Sequence, residues 1–136
     1  MSLRWYSTVI DCHDPQAQAR WWAETLGWRL FYDTPEECVA IPSYVTPELI
    51  ATTPWEQVGP GLVFVPVAED KDVKNRLHLD LACHVSDDRD ALIAGLVERG
   101  ATYAEVGQQD ADEPVSWTVL RDPEGNEFCV LSARES

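Results

Sequence analysis

Basic residues are scarce in this chain: 10 lysines and arginines stand against 24 aspartates and glutamates, for a formal net charge of −14. That sign repels nucleic-acid backbones and anionic lipid, so neither nucleic acid nor a membrane is an expected partner. No apolar run approaches the ~20 residues a membrane-spanning helix needs. The first residues, Met1-Ser-Leu-Arg-Trp5, lack the apolar stretch of a signal peptide. The four cysteines, Cys12, Cys38, Cys83 and Cys129, include no CxxC pair. They are expected to be reduced thiols, used as small hydrophobes in the cytoplasm. Also missing are a glycine-rich phosphate loop, a Ser-His-Asp order and zinc-ligand spacing.

What remains is the composition of one globular domain. The chain has 136 residues, and 45% of them are hydrophobic, enough for a core. Leu3 to Cys12 reads as a strand, rich in β-branched and aromatic residues. Asp14-Pro15 opens a helix, with Asp as N-cap and Pro at the first helical position. The helix runs to about Leu26, and Gly27 ends it. Ala19, Trp22, Ala23 and Leu26 share its buried stripe, and Trp21 points elsewhere, toward an edge or a subunit contact. Strands follow at Trp28 to Asp33, Cys38 to Pro42 and Gly61 to Val67. The proline-bearing stretch from Ser43 to Pro60 is too long for a simple hairpin and reads as a lid or flap, with Trp55 as its candidate cover.

After a charged linker, Ala68 to Asn75, the pattern restarts. Leu77 to His84 is a strand, and Asp87 or Asp88 caps a second helix. Leu92, Ile93, Leu96 and Val97 form its stripe, and Gly100 ends it. Thr102 to Val106, Ser116 to Arg121 and Glu127 to Ser132 are strands, and Gln108 to Glu113 is an acidic loop. The interval from Asp14 to Gly27 equals that from Asp87 to Gly100, thirteen residues in each. The chain is therefore a duplicated strand–helix–three-strand unit, and two copies that small must pack together.

Three segments carry a family likeness: Asp14-Pro15 through Gly27-Trp28; Lys74-Asn-Arg-Leu-His78-Leu-Asp80-Leu; and Asp122-Pro-Glu-Gly-Asn-Glu-Phe-Cys129-Val-Leu. Together they resemble the vicinal-oxygen-chelate superfamily, the glyoxalase/bleomycin resistance/dioxygenase proteins. The second and third are similar to its actinobacterial-type glyoxalase-like subgroup. The likeness covers residues 3 to 132. It implies an α+β fold in which two βαβββ modules, about 3–67 and 77–132, form a curved sheet around a central cavity within a single domain, 1–136. Metal-bearing members place His, Gln or Glu at four inward strand positions. Those positions fall near Ser7, Val65, His78 and Cys129, and only His78 fits the pattern. The expectation is therefore no cofactor, no metal ligands and no glyoxalase I activity.

Strand alternation then sorts the second module. Leu77, Leu79 and Leu81 are expected under the second helix, as are Phe128 and Val130. His78, Asp80, Glu127, Cys129 and Leu131 face the cavity. Trp5, Ser7, Val9 and Asp11 do so on the first strand, Val63 and Val65 on the fourth, and Trp117 and Val119 on the seventh. Apolar walls with a few polar anchors make a small-molecule pocket. The expected ligand-binding set is Trp5, Ser7, His78, Asp80, Trp117, Glu127 and Cys129, with Trp5 and Trp117 stacking on a partly aromatic ligand. His78 is the candidate acid–base residue, because imidazole titrates near neutral pH.

Three alternatives stand beside this reading. His78 and Asp80, about 6.6 Å apart along the backbone, can converge on a divalent metal with Cys129 or Glu127 as third donor, making the chain a lyase, isomerase or dioxygenase. They can equally form a structural pair. The chain can also be a non-catalytic interaction module, and open sheet edges suit a homodimer.

Overall fold

The computed structural model describes residues 3–104 and 117–134. The expected strand end at 105–106, the acidic loop Gln108 to Glu113 and Ser116 lie outside the described residues. The chain divides into two compact units, Met1–Asp70 and Lys71–Ser136. Each holds a four-stranded sheet with helix, so the fold is α+β with two βαβββ modules, as the motif order implied.

In the first unit β1 (Ser7–Cys12) leads to α1 (Pro15–Leu26), β2 (Arg29–Asp33), β3 (Cys38–Ile41) and β4 (Gly61–Pro66). The sheet order is β1-β4-β3-β2, with β1 and β4 parallel and the other pairs antiparallel. Asp14 caps α1 through its side chain, which accepts the Ala17 N–H at 3.1 Å. Gly27, at φ 67°, closes the helix in the left-handed conformation that residues with a Cβ resist.

α1 lies across all four strands. Trp22, Ala19, Phe64, Cys38, Ala40 and Leu62 make the buried core. Trp21, expected at an edge or subunit contact, is also buried. It meets Trp22 edge-on at 5.1 Å between ring centroids, a T-shaped pair that lets neighbouring residues share one apolar space.

The long Ser43 to Pro60 stretch contains structure that its prolines hid. Thr46 caps a short helix, α2 (Pro47–Thr52), by accepting the Leu49 N–H at 3.1 Å, and Pro47 takes the first turn. A single 3-10 turn follows at Trp55–Gln57. Val45 and Val58 are buried on either side and pin the segment down.

The second unit repeats the order: β5 (Leu79–Leu81), α3 (Arg89–Glu98), β6 (Thr102–Tyr103), β7 (Trp117–Arg121) and β8 (Glu127–Leu131). Its sheet runs β5-β8-β7-β6, again with the outer pair, β5 and β8, parallel. Asp88 is the residue that caps α3, accepting the Ala91 N–H at 3.1 Å. Phe128, Leu120, Val130 and Ile93 are buried.

Two expectations change here. The fifth strand is three residues long, not eight, and Leu77 is exposed. The chain before it is held by side-chain bonds rather than by a ladder. After it, a turn in which His84 N–H donates to Asp87 Oδ2 at 3.2 Å bends the backbone away. The stripe of α3 is also only partly covered: Ile93 is buried, and Leu92 and Val97 are exposed. A sheet whose outer strands have three and two residues is too narrow to cover the whole stripe.

Among the described residues no helix is long and apolar enough to cross a membrane.

Candidate functional site

The site is built from the turn between β7 and β8. Asp122 is buried, and its Oδ1 accepts the N–H groups of Glu124 at 2.9 Å and Asn126 at 3.0 Å. Gly125, at φ 92°, supplies the backbone angle the turn needs. This Asp-Pro-Glu-Gly-Asn turn fixes the start of β8 and with it the direction of Glu127 and Cys129. Cross-strand partners share a face, so the register pairs Arg121–Glu127, Val119–Cys129, Trp117–Leu131 and Asp80–Cys129 put all of these side chains on one face of the second sheet.

On that face His78 Nε2 lies 3.2 Å from Asp80 Oδ1. Both side chains reach solvent, at 38% and 52% exposure, while Cys129 is buried. Nitrogen, oxygen and sulfur donor atoms of His78, Asp80 and Cys129 all lie within 4.8 Å of one another. Burial pushes the Cys129 thiol above its ordinary value, and the charge of Asp80 and a hydrogen bond to it push the same way; the ammonium of Lys74 opposes them. Cys129 is therefore held as the neutral thiol at neutral pH. His78 and Cys129 both lie beside the Asp80 carboxylate.

Glu127, two residues before Cys129, is tied into the backbone scaffold. Its Oε1 accepts from Lys71 Nζ at 2.7 Å and from the Asn75 N–H at 3.1 Å. Burial alone would raise its carboxyl; the Lys71 bond, the Asn75 N–H and the Lys71 charge outweigh it and hold the group below its ordinary range. Its Oε2 is buried and has no hydrogen-bond partner among the described residues. Asn75 Nδ2 also donates to Asn126 Oδ1 at 3.1 Å. The stretch read from sequence as a charged linker is thus bound to the turn before β8. A cleft of about 240 Å³ lies between them, lined by Lys71, Asp72, Val73, Lys74, Arg121, Gly125 and Glu127.

Trp117 is partly exposed at the start of β7, on the same face as His78's partner Asp80. Trp5 and Ser7 belong to the first unit. Trp5 precedes β1 and is exposed, and Ser7 opens β1 opposite Gly61. Val65 stands opposite Asp11 instead, so Ser7 and Val65 are four register steps apart, about 13 Å. They are not the side-by-side pair that Asp80 and Cys129 are. Trp55, the expected cover, takes the Arg4 guanidinium at 5.7 Å, and Tyr6 takes it at 4.7 Å.

Sequence reasoning missed Arg89. Its Nε donates to Leu131 O at 2.9 Å, and its Nη2 donates to Val130 O and Thr118 Oγ1, each at 2.7 Å. It fastens the start of α3 to β8 and β7, the strands that carry the site. Its signal was thin: a lone basic residue directly after a helix cap, where an acid is the usual choice.

Comparisons with known proteins agree with the architecture. The family model described as a glyoxalase-like domain matches residues 7–131. A glyoxalase/bleomycin resistance protein/dioxygenase family enzyme from Burkholderia phytofirmans PsJN is similar in structure, with a TM-score of 0.65 at 15% identity over 97% of this chain and 100% of that one. A glyoxylase/bleomycin resistance protein/dioxygenase domain from Frankia sp. EAN1pec has a TM-score of 0.58 at 18% identity, over 94% and 95%. An oxidase, ChaP-H2, gives 0.59 at 18%, over 100% and 98%. Identities this low speak to the fold alone. No curated protein matches the chain.

Proposed function

The chain belongs to the glyoxalase-like domain family of the vicinal-oxygen-chelate superfamily, and on that footing we propose that it binds a small, partly aromatic molecule through the His78–Asp80–Cys129 face, without a metal ion. One observation carries this reading: the Asp80 carboxylate sits 3.2 Å from the His78 imidazole nitrogen and within 4.8 Å of the Cys129 thiol. An imidazole N–H at that distance answers its charge from within the protein. Four free, buried thiols support a reducing compartment, the cytoplasm.

The chemistry follows from the pair. With a proton on Nε2, the nitrogen 3.2 Å from Asp80 Oδ1, the lone pair of His78 is at Nδ1. Nδ1 is then the atom that accepts a proton from a bound molecule, or a hydrogen bond if no reaction occurs. Trp117, on β7 and on the same face of the sheet as Asp80 and Cys129, offers a ring face to such a molecule. Quenching of tryptophan fluorescence by a panel of phenols, catechols and aromatic acids tests the reading. A binder should lose at least about tenfold in affinity in both His78→Ala and Trp117→Ala, the loss of one good contact. Unchanged affinity in both variants moves the site elsewhere.

The second reading rests on the same three donors lying within 4.8 Å. His78, Asp80 and Cys129 are a nitrogen, oxygen and sulfur set that suits zinc in donor type. Such an ion would act as a Lewis acid on a substrate oxygen. The fit is incomplete in two respects. Cys129 must first give up a proton that its surroundings hold on it, and donor atoms around tetrahedral zinc sit about 3.3–3.8 Å apart, given the usual bond lengths.

A further inference from the structure

Positive charge is rare in this chain, yet three of its ten basic side chains, Lys71, Lys74 and Arg121, line one cleft in the second unit. They are not equivalent. Lys71 is spent: its Nζ sits 2.7 Å from Glu127 Oε1, and that carboxylate is nearly sealed from solvent, at 4% exposure. The Asn75 N–H answers the same oxygen. The acid at the floor of the cleft is thus compensated before any ligand arrives. Lys74 and Arg121 have no ion pair or hydrogen bond among the described residues, and Asp72 is the remaining acid of the lining. The cleft has a local positive excess on a protein of net charge −14. A low-dielectric concavity of one sign concentrates counter-ions.

Position gives the excess a use. Arg121 is the cross-strand neighbour of Glu127, and Glu127 is two residues from Cys129 on the same face, about 7 Å along β8. The cleft and the His78–Asp80–Cys129 cluster therefore lie within the span of one small molecule.

We propose that this cleft is an anion subsite: Lys74 and Arg121 receive a carboxylate or phosphate group of the molecule whose remainder lies against His78 and Trp117. The proposal rests on the reading of that face as the binding face and names the ligand class, an aromatic acid or aryl phosphate. Arg121 gives two-pronged geometry to such a group, and Lys74 adds a point charge.

The test is a titration of 15N-labelled protein with benzoate, its neutral counterpart benzyl alcohol, and inorganic phosphate. Benzoate should move the amides of Lys74, Gly125 and Glu127 together with the His78 imidazole. Benzyl alcohol should move the His78 signal at least about tenfold more weakly, the worth of one charged hydrogen bond. Lys74→Gln and Arg121→Gln should each weaken benzoate by a similar factor without changing benzyl alcohol or the melting temperature. Equal binding of the acid and the alcohol, or unaltered benzoate affinity in both variants, overturns the subsite and leaves the binding face standing. If no compound moves His78 or Trp117 while phosphate still moves Lys74 and Gly125, the binding face is wrong and the anion site stands alone.

Discussion

Asp80 and Cys129 stand opposite one another in the parallel ladder between β5 and β8. The placement sets the state of both. The thiol, buried and facing a carboxylate, keeps its proton. Asp80 has the thiol on one side and the His78 imidazole, 3.2 Å away, on the other. Where metal-bearing members of the superfamily are expected to offer His, Gln or Glu, this chain has a neutral thiol.

Asp80→Asn should reverse the imidazole. An asparagine amide can donate to Nε2, which an ionised aspartate cannot, so His78 should carry its proton on Nδ1 instead. The two tautomers have distinct imidazole 15N shifts, and the change should be visible without any ligand. The same substitution removes a charge that resists ionisation of Cys129, so that thiol should titrate at lower pH. An unmoved 15N pattern would detach the tautomer from Asp80.

Glu127 should give the fold an acid-sensitive component. Its carboxyl is held below its ordinary value of 4.5 in the folded chain. A group depressed on folding contributes its full stability above the unfolded value and loses it as pH falls through the folded one. Urea midpoints measured between pH 6 and pH 3 should therefore fall more steeply in the wild type than in Glu127→Gln. Lys71→Met should likewise flatten the slope. Parallel curves in all three proteins would mean the pair does not couple to folding.

Removing Arg89 should be costly. Three acceptors on β7 and β8 receive its N–H groups, and a hydrogen bond from a charged group contributes about 1.5–3 kcal/mol net of its exchange with water, with bonds from one side chain adding less than independently. Arg89→Ala should lose about 2–4 kcal/mol in chemical denaturation. Arg89→Lys should recover only part, because an ammonium cannot span three acceptors as a planar guanidinium does. A loss under ~0.5 kcal/mol would place Arg89 among ordinary surface residues.

The parts of the fold legible in sequence are those written in local chemistry. Asp14, Pro15 and Gly27 mark a helix because caps and left-handed glycines act within a few residues. Asp122 to Asn126 marks a turn for the same reason. What escaped depends on distance in sequence. Nothing around Lys71 announces a bond to Glu127, and nothing around Arg89 announces Val130 or Leu131. The short fifth strand followed from those side-chain ties, which no alternation of leucines records. In the candidate site, His78 and Asp80 were visible as an i, i+2 pair. The charge state of Cys129 and the basic cleft beside it needed the register of β5, β7 and β8.

Gly27→Ala isolates a backbone effect. A Cβ at Gly27 would meet no atom within 4 Å, yet the residue sits at φ 67°. The expected loss, about 1 kcal/mol, is therefore conformational and not steric crowding by neighbours. Gly27→Asn should cost less, since asparagine tolerates the left-handed region better. Equal losses for the two would point to some other source of strain, read from the difference in their melting temperatures.

The metal question has a stability readout that needs no substrate. If the Asp80 charge is answered by His78 and the Cys129 thiol keeps its proton, a divalent ion must displace the His78–Asp80 contact and that proton to enter. Zinc, manganese or ferrous ion added to the wild type at pH 7 should then leave the melting temperature unchanged. Cys129→Glu replaces the neutral thiol with a carboxylate, one of the three ligand types that metal-bearing members are expected to place at this position. That variant should show a rise on adding metal, because binding to the folded state alone stabilises it by about 2.7 kcal/mol at a hundredfold excess over Kd. A rise of that size in the wild type, lost in His78→Ala and Asp80→Ala, would favour the metal reading over the one proposed here. A flat response in the wild type with a rise in Cys129→Glu would locate the difference in one side chain, the cysteine that ends the Asp122-Pro-Glu-Gly-Asn-Glu-Phe motif.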